Sequence, residues 1–514
     1  MDKVLLIVRD GWGYSEDTDG NAINAANTPF DDHLNEKYIP AILGAHGRSV
    51  GLPDGFQGSS EVGHMNMGAG RIITQEVTRI NDLLESNEFF KSTLFEKIAS
   101  SINDDDVSIH LMGLLQDEGV HAHQQHLFNL LKYFQEKYPN NKVIVHVFSD
   151  GRDTPPKSLF GFLRDLKEIM SQNPKAAIGT LMGRYYAMDR SKNYDLTSIA
   201  YDAICYAKGN RYTDLNAAVE QLYNNAKTPD NEPMFDEYIT PLISENYEGV
   251  KPGDVLINYN YRQDRAIQIS EAFCDSESPI KNKIDFDVNY FGFTQYYDEF
   301  ENFLVESITS GDSELCLVGN EIANHNLKQL RISETQKFRH VTSFFNGKLT
   351  TPFKGEEQIE VKGDFDPSTF ASNPEMNADD ITAKTLPLLK SNFSFVAVNY
   401  ANCDMVGHTG VLNSAKKACE VVDKNVAELT TEATKSGYTV LITADHGNSE
   451  EMIDKKTNDV KTSHTLNPVK LHILNNEKYE NMNYKKGILA DIGTLILHFL
   501  NLPIPEAMDV RNLI

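Results

Sequence analysis

Residues 1–13, Met-Asp-Lys-Val-Leu-Leu-Ile-Val-Arg-Asp-Gly-Trp-Gly, hold five consecutive apolar positions, Val4–Val8, that run straight into Arg9 and Asp10. Five apolar residues closed off by charge fit a buried strand. They are too few for a signal-peptide core and far too few for a membrane span. The same pattern recurs at Val107–Met112, Val143–Phe148, Ala177–Met182, Val255–Asn258, Phe395–Val398 and Val440–Thr443. Between several of these runs lie stretches of helical period, such as His126–Lys137 and Leu159–Met170. Strands alternating with amphipathic helices predict an α/β architecture with largely parallel sheets. At roughly 150 residues per domain, a chain of 514 residues favours two to four domains.

The chain carries 48 Lys and Arg against 74 Asp and Glu, a formal net charge of −26. That excess argues against a partner that is duplex nucleic acid or an anionic membrane, since both are bound through cationic surface. The five cysteines form no Cys-x-x-Cys pair, and their odd number predicts reduced thiols and a cytoplasmic location.

Many unusual polar residues fall just after a strand-like run. Asp10 follows Val4–Val8, His121 lies beyond Val107–Met112, and Arg152 and Asp153 follow Val143–Phe148. Arg184 follows Ala177–Met182, Arg262 and Arg265 follow the run ending near Tyr261, and Asp404 follows Phe395–Val398. Asp445 and His446 follow Val440–Thr443. Ligands of open parallel sheets bind at the carboxyl ends of strands, so the pattern itself predicts a site there.

Two constellations stand out. The first combines Asp10, Asp404, His408, Asp445, His446 and His464, a donor set that suits divalent transition metals such as Mn²⁺ or Zn²⁺. Asp404 and His408 are spaced to share one side of a helical turn. A single Asp-Gly is more often a turn carboxylate, but Asp-His-Gly after one strand and Asp-x-x-x-His after another make that reading hard to sustain. Six ligands suggest two ions. Ser60, in Gly58-Ser-Ser-Glu-Val-Gly-His64, is the candidate nucleophile, placed where a helix N-terminus favours an anion. Ser59 is its rival, and an ordinary N-cap is the simpler alternative for either. The second constellation is Arg152, Asp153, Arg184, Arg190, Arg262 and Arg265, which predicts a pocket for a small, multiply charged anion. Asp153 suits a general acid or base, with His121 assisting.

Together these residues resemble the cofactor-independent phosphoglycerate mutases of the alkaline phosphatase superfamily. The resemblance spans essentially the whole chain. It rests on Asp10-Gly-Trp-Gly, GLPDGFQGSSEVGHMNMGAGR from Gly51, HLMGLLQDEGVHAH from His110, SDGRDTPP from Ser149 and MGRYYAMDR from Met182. Further landmarks are YRQDRA from Tyr261, LKQLRISETQKFRHVT from Leu327, NYANCDMVGHTG from Asn399, TADHGNSE from Thr443 and TSHTLNPV from Thr462.

The resemblance implies two three-layer α/β/α domains. A split phosphatase-like domain would occupy residues 1–75 and 311–514, with an inserted transferase domain at 76–310. It implies two Mn²⁺ ions, with Co²⁺ or Mg²⁺ sharing the ligand types, and no need for 2,3-bisphosphoglycerate. Asp404, His408 and His464 would hold one ion; Asp10, Ser60, Asp445 and His446 the other. Ser60 would become phosphoserine with Lys337 neutralising the phosphate. Glycerate would reorient on Arg152, Arg184, Arg190, Arg262 and Arg265. Asp153 would shuttle the proton, with His121 nearby. The implied reaction interconverts 3-phosphoglycerate and 2-phosphoglycerate in a cytoplasmic monomer whose partners are small phosphoglycerates. A metal-dependent phosphatase would need the same serine and metals but not the arginines, and a silent scaffold would have lost a ligand. Ser59, Arg9, Glu118, Cys403 and Leu466 depart from the family pattern, yet none removes a ligand or a substrate arginine.

Overall fold

A computed structural model of the chain describes residues 2–513 except 298, 306–315, 364, 366, 456–457, 480–485, 509 and 511. The chain divides into two compact units, Met1–Gln75 with Thr309–Ile514, and Glu76–Ile308. The boundary expected between residues 310 and 311 lies outside the described residues.

The first unit is built on an eight-stranded sheet. Its strand order is Glu356–Val361, Lys328–Glu334, Phe393–Tyr400, Lys3–Arg9, Tyr438–Thr443, Val469–Leu474, Ala41–Gly44 and Gly487–Ile488. Lys3–Arg9 runs parallel to both of its neighbours, with Val4 opposite Phe395 and Thr439. Val4–Val8 are all fully buried, as a strand covered on both faces requires. The helix Leu412–Lys435 buries Ala415, Ala418, Cys419, Val422, Val426, Leu429 and Ala433, a spacing of three and four that lines one face.

The second unit carries its own eight-stranded sheet. Its order is Phe303–Val305, Asn289–Thr294, Val255–Asn258, Ile109–Leu114, Val143–Ser149, Ala176–Gly183, Leu242–Ser244 and Asn210–Tyr212. Only the pairing of Ala176–Gly183 with Leu242–Ser244 is antiparallel among the described strands of this sheet. The expected strand at Val107 begins instead at Ile109, because Ser108 spends its amide on the Asp254 carboxylate. The expected helix at His126 starts at Gln124, where His123 caps it. Leu159–Met170 is a helix over the range its period predicts, with Leu159, Leu163 and Leu166 buried.

Candidate active site

Three adjacent parallel strands of the first sheet end side by side. Asp10 leaves Lys3–Arg9, Asp404 and His408 lie on and just past the helix Asn402–Gly407 that follows Phe393–Tyr400, and Asp445 and His446 leave Tyr438–Thr443. Gly11 has φ +74°, and a Cβ there would sit 2.8 Å from the Asp404 backbone, so glycine lets the Asp10 segment close on the Asp404 segment. Ser60 is the first residue of the helix Ser60–Ala69. Ser59 is the N-cap, its hydroxyl accepting from the Val62 amide. Lys337 comes from the short helix after Lys328–Glu334.

These side chains meet. Ser60 Oγ lies 2.9 Å from His446 Nε2, 3.2 Å from Asp10 Oδ1 and 2.5 Å from Lys337 Nζ. Lys337 Nζ is also 2.7 Å from Asp10 Oδ1 and 2.6 Å from Asp404 Oδ2. His446 Nε2 stands 3.7 Å from Asp445 Oδ1. Beside this group, Asp404 Oδ1, His408 Nε2 and His464 Nε2 are mutually 3.1–3.2 Å apart. Such separations are close to the roughly 3 Å edge of a polyhedron with metal bonds of ~2.1 Å. His64, not singled out from the sequence as a ligand, also stands within reach of a metal shared with Asp10 and Asp445. Its Nδ1 donates to the Ser60 carbonyl at 2.8 Å.

The electrostatics fit a cation site. Burial alone would raise the carboxyls of Asp10 and Asp404, but the Lys337 ammonium together with neighbouring imidazoles, His446 at Asp10 and His408 and His464 at Asp404, outweighs it and holds both well below their ordinary range. Burial would lower Lys337, and Asp10, Asp404 and Asp445 outweigh it to raise the ammonium above its usual value. For His446, burial is likewise overcome by Asp445, Asp10 and Asp404, which push it up to about 10. Asp445 is fully buried, yet among the described residues its Oδ2 accepts no hydrogen bond, with His64 Nδ1 standing 3.3 Å away. A buried, acid-rich nest with an idle carboxylate oxygen and converging imidazoles is the donor chemistry of divalent transition ions.

In the second unit, the arginines converge through carboxylates. Arg184 Nη1 donates to Asp150 Oδ1 at 2.7 Å and to Asp153 Oδ2 at 2.5 Å. Arg190 Nη1 donates to Asp264 Oδ2 at 2.6 Å, and Arg262 Nε lies 3.2 Å from Asp264 Oδ1. His121 bridges the two groups, 3.9 Å from Asp153 and 3.6 Å from Asp264, and its carbonyl accepts from the amides of Tyr261 and Arg262. Burial first, then Arg184 and Arg262, push His121 down to about 3, so its ring is neutral. Arg152 pairs instead with Glu237 at 3.1 Å. Arg265 donates to the Met188 carbonyl, and burial, followed by Arg184, Arg190 and Arg152, lowers its proton affinity.

The family model of the metalloenzyme superfamily matches residues 2–504. A 2,3-bisphosphoglycerate-independent phosphoglycerate mutase of Clostridium acetobutylicum is 38% identical over 521 aligned residues, covering 99% of both chains. One from Methanosarcina barkeri, named phosphoglycerate mutase 1, is 38% identical over 519 residues, covering 99% of this chain and 98% of its own. This chain belongs to the 2,3-bisphosphoglycerate-independent phosphoglycerate mutase family. The crystal structure of Leishmania mexicana phosphoglycerate mutase at low cobalt concentration matches with a TM-score of 0.74 and 28% identity, over 99% of this chain and 97% of that one. Membership in the metalloenzyme superfamily carries divalent metals with it.

Four of the expected departures from the phosphoglycerate mutase family pattern have the following surroundings. Arg9 pairs with Asp31 and stacks over the Trp12 ring at 4.3 Å. Cys403 is buried with its Sγ 3.7 Å from that of Cys419, and Leu466 is exposed. Burial, then Asp117, Asp150 and Asp153, raise the Glu118 carboxyl. Sequence reasoning passed over Asp150, Glu237 and Asp264, the carboxylates that hold the arginines. An acidic residue between Arg262 and Arg265 was the available signal. It also passed over Asn399 and Asn448, whose amides donate to Asp10 Oδ2 at 2.7 Å and Asp404 Oδ1 at 3.1 Å.

Proposed function

We propose that this chain is an isomerase that interconverts 3-phosphoglycerate and 2-phosphoglycerate, the glycolytic and gluconeogenic step, through a phosphoserine on Ser60. The observation that carries the reading is the buried Ser60 hydroxyl held against Lys337, His446 and Asp10, in a chain whose other unit gathers arginines around Asp153 and Asp264. The first unit is the phosphatase-like domain of this reading, and the second is the transferase domain.

Asp404, His408 and His464 would hold one divalent ion and Asp10, Ser60, Asp445 and His446 a second, with His64 close behind. Manganese is the proposed ion, with cobalt or magnesium sharing the donors. Bound there, the ions supply positive charge to the phosphoryl oxygens and favour the ionised serine. Ser60 Oγ, its proton released to solvent on ionisation, forms a bond to phosphorus as the bond from phosphorus to the glycerate oxygen breaks. The Lys337 ammonium donates to Ser60 Oγ and offsets developing charge. The departing glycerate oxygen takes a proton from Asp153, and Asp153 then removes the proton of the neighbouring hydroxyl. That hydroxyl attacks the phosphoserine, and Ser60 leaves. Arg184, Arg190, Arg262, Arg265 and Arg152 grip the glycerate carboxylate through this exchange, and neutral His121 keeps its ring beside Asp153 without adding charge. The proposed setting is a cytoplasmic monomer; among the described residues no helix is long and apolar enough to cross a membrane.

The test is an assay on 3-phosphoglycerate without 2,3-bisphosphoglycerate, before and after chelation, with Ser60→Ala alongside. Activity that depends on added Mn²⁺ and disappears in Ser60→Ala is expected. Near-normal turnover by that variant overturns the phosphoserine route.

A further inference from the structure

Glu450 is 1% exposed and makes no ion pair among the described residues. Each of its carboxylate oxygens accepts twice. Oε2 takes the Gly13 amide at 3.1 Å and the Asn448 amide at 2.8 Å. Oε1 takes the Thr465 hydroxyl in a short hydrogen bond, and the Asn467 side-chain amide at 3.0 Å. Those donors belong to three different stretches of chain. Gly13 lies just beyond Asp10, Asn448 just beyond Asp445 and His446, and Thr465 directly after His464. The fourth stretch joins through the same loop, because Asn448 Nδ2 donates to Asp404 Oδ1 at 3.1 Å and Ser449 Oγ to the Cys403 carbonyl at 2.6 Å. Gly13 and Gly447 leave the room that the carboxylate fills, since a Cβ at either would lie 2.2 Å from a Glu450 atom.

From this arrangement we infer that Glu450 is a positioning residue, fixing the segments that carry Asp10, His446 and His464 in the spacing that two divalent ions require. The inference deepens the metal-site reading above and rests on it. A carboxylate suits the place because all the groups aimed at it are donors. A glutamine can accept on one oxygen only. Its amide would face the Asn467 Nδ2 donor, which also serves Glu451 at 3.1 Å and cannot turn over without giving up that bond. Buried and shared by three loops, one mismatched contact here displaces ligands on several of them. Groups that orient metal ligands from behind commonly change metal affinity by about 10–100-fold when altered.

The experiment follows Mn²⁺ binding by electron paramagnetic resonance of the free ion, in chelator-stripped full-length protein, for the parent, Glu450→Gln and Thr465→Val. The expected result is about 10–100-fold weaker Mn²⁺ binding in Glu450→Gln. Excess Mn²⁺ should restore much of its turnover, with KM for 3-phosphoglycerate unchanged. Thr465→Val removes one of the four donors, keeps the side chain's shape and should weaken binding in the same direction. It carries the test if Glu450→Gln does not fold. Mn²⁺ titrations of the folded variants that superimpose on the parent's overturn the positioning role while leaving the metal site standing. A parent protein that takes up no Mn²⁺ overturns the metal-site reading and this inference with it.

Discussion

Lys337 Nζ lies 2.5 Å from Ser60 Oγ, and both side chains are buried. The same ammonium touches Asp10 and Asp404, so it serves two purposes. It offsets buried negative charge when no ion is bound, and it donates to the reacting oxygen. Lys337→Met should therefore lower turnover by about 10²–10³-fold. It should also destabilise the chelator-treated protein by about 3–5 kcal/mol, because it strands buried carboxylates, and Mn²⁺ should recover most of that loss. Thermal unfolding with and without Mn²⁺ reads both effects. Equal melting of parent and variant in chelator would contradict the charge-offsetting role.

Arg262 stands just before the short turn Gln263–Arg265 and leans on Asp264. Arg262→Ala removes a charge-assisted grip and should raise KM for 3-phosphoglycerate about tenfold or more. Looser glycerate gives water more access to the phosphoserine, so release of inorganic phosphate should rise. Unchanged kinetics and no phosphate release would take Arg262 out of the substrate pocket.

Metal uptake should be acid-sensitive. The Asp445, Asp10 and Asp404 carboxylates overcome burial and raise His446 to about 10 in the ion-free protein, so binding an ion there must displace a proton. Apparent Mn²⁺ affinity should climb as pH rises from 6 to 8. Calorimetry in buffers of different ionisation heat should register proton release. Binding heats that do not vary with buffer would count against His446 as a ligand.

His472 sits in the strand Val469–Leu474, and neither ring nitrogen has a hydrogen-bond partner among the described residues. Burial, then the Arg9 guanidinium, push it down to about 3. The unfolded chain takes up this proton near pH 6.5 and the folded chain does not. Stability is therefore complete above that pH and is lost as pH falls towards 3. His472→Leu should flatten the pH dependence of urea unfolding between pH 6.5 and 4.5 by on the order of 2 kcal/mol. Parallel curves for parent and variant would show that the proton lies elsewhere.

The central strands were legible because burial on both faces writes a continuous apolar run, as at Val4–Val8 and Val255–Asn258. Edge strands such as Glu356–Val361 and Asn210–Tyr212 were not, since a short, half-exposed strand needs no such run. The clustering of Asp10, Asp404 and Asp445 was readable for a related reason: each follows a strand that had to be parallel and central. The groups behind them were harder to find. Glu450 acts on backbone amides of Gly13 and Asn448, and an amide carries no signature in the letter that bears it. Asp264 sits in plain view between Arg262 and Arg265, and Asp150 just before Arg152, but their pairing depends on which loops meet. His64 looked like part of a nucleophile motif, and only its helix turns the ring towards Asp445.

The strand order of the first sheet also sets a timetable for synthesis. Among the described strands Lys3–Arg9 is translated before all the others, yet the strands that flank it, Phe393–Tyr400 and Tyr438–Thr443, follow roughly four hundred residues later. Every strand of the other sheet, from Ile109–Leu114 to Phe303–Val305, is translated in between and can assemble while the first waits. The nascent polypeptide thus carries an unpaired, wholly apolar Val4–Val8 segment until Phe393–Tyr400 has been made. Such distant pairing makes for slow closure and a strong claim on chaperones.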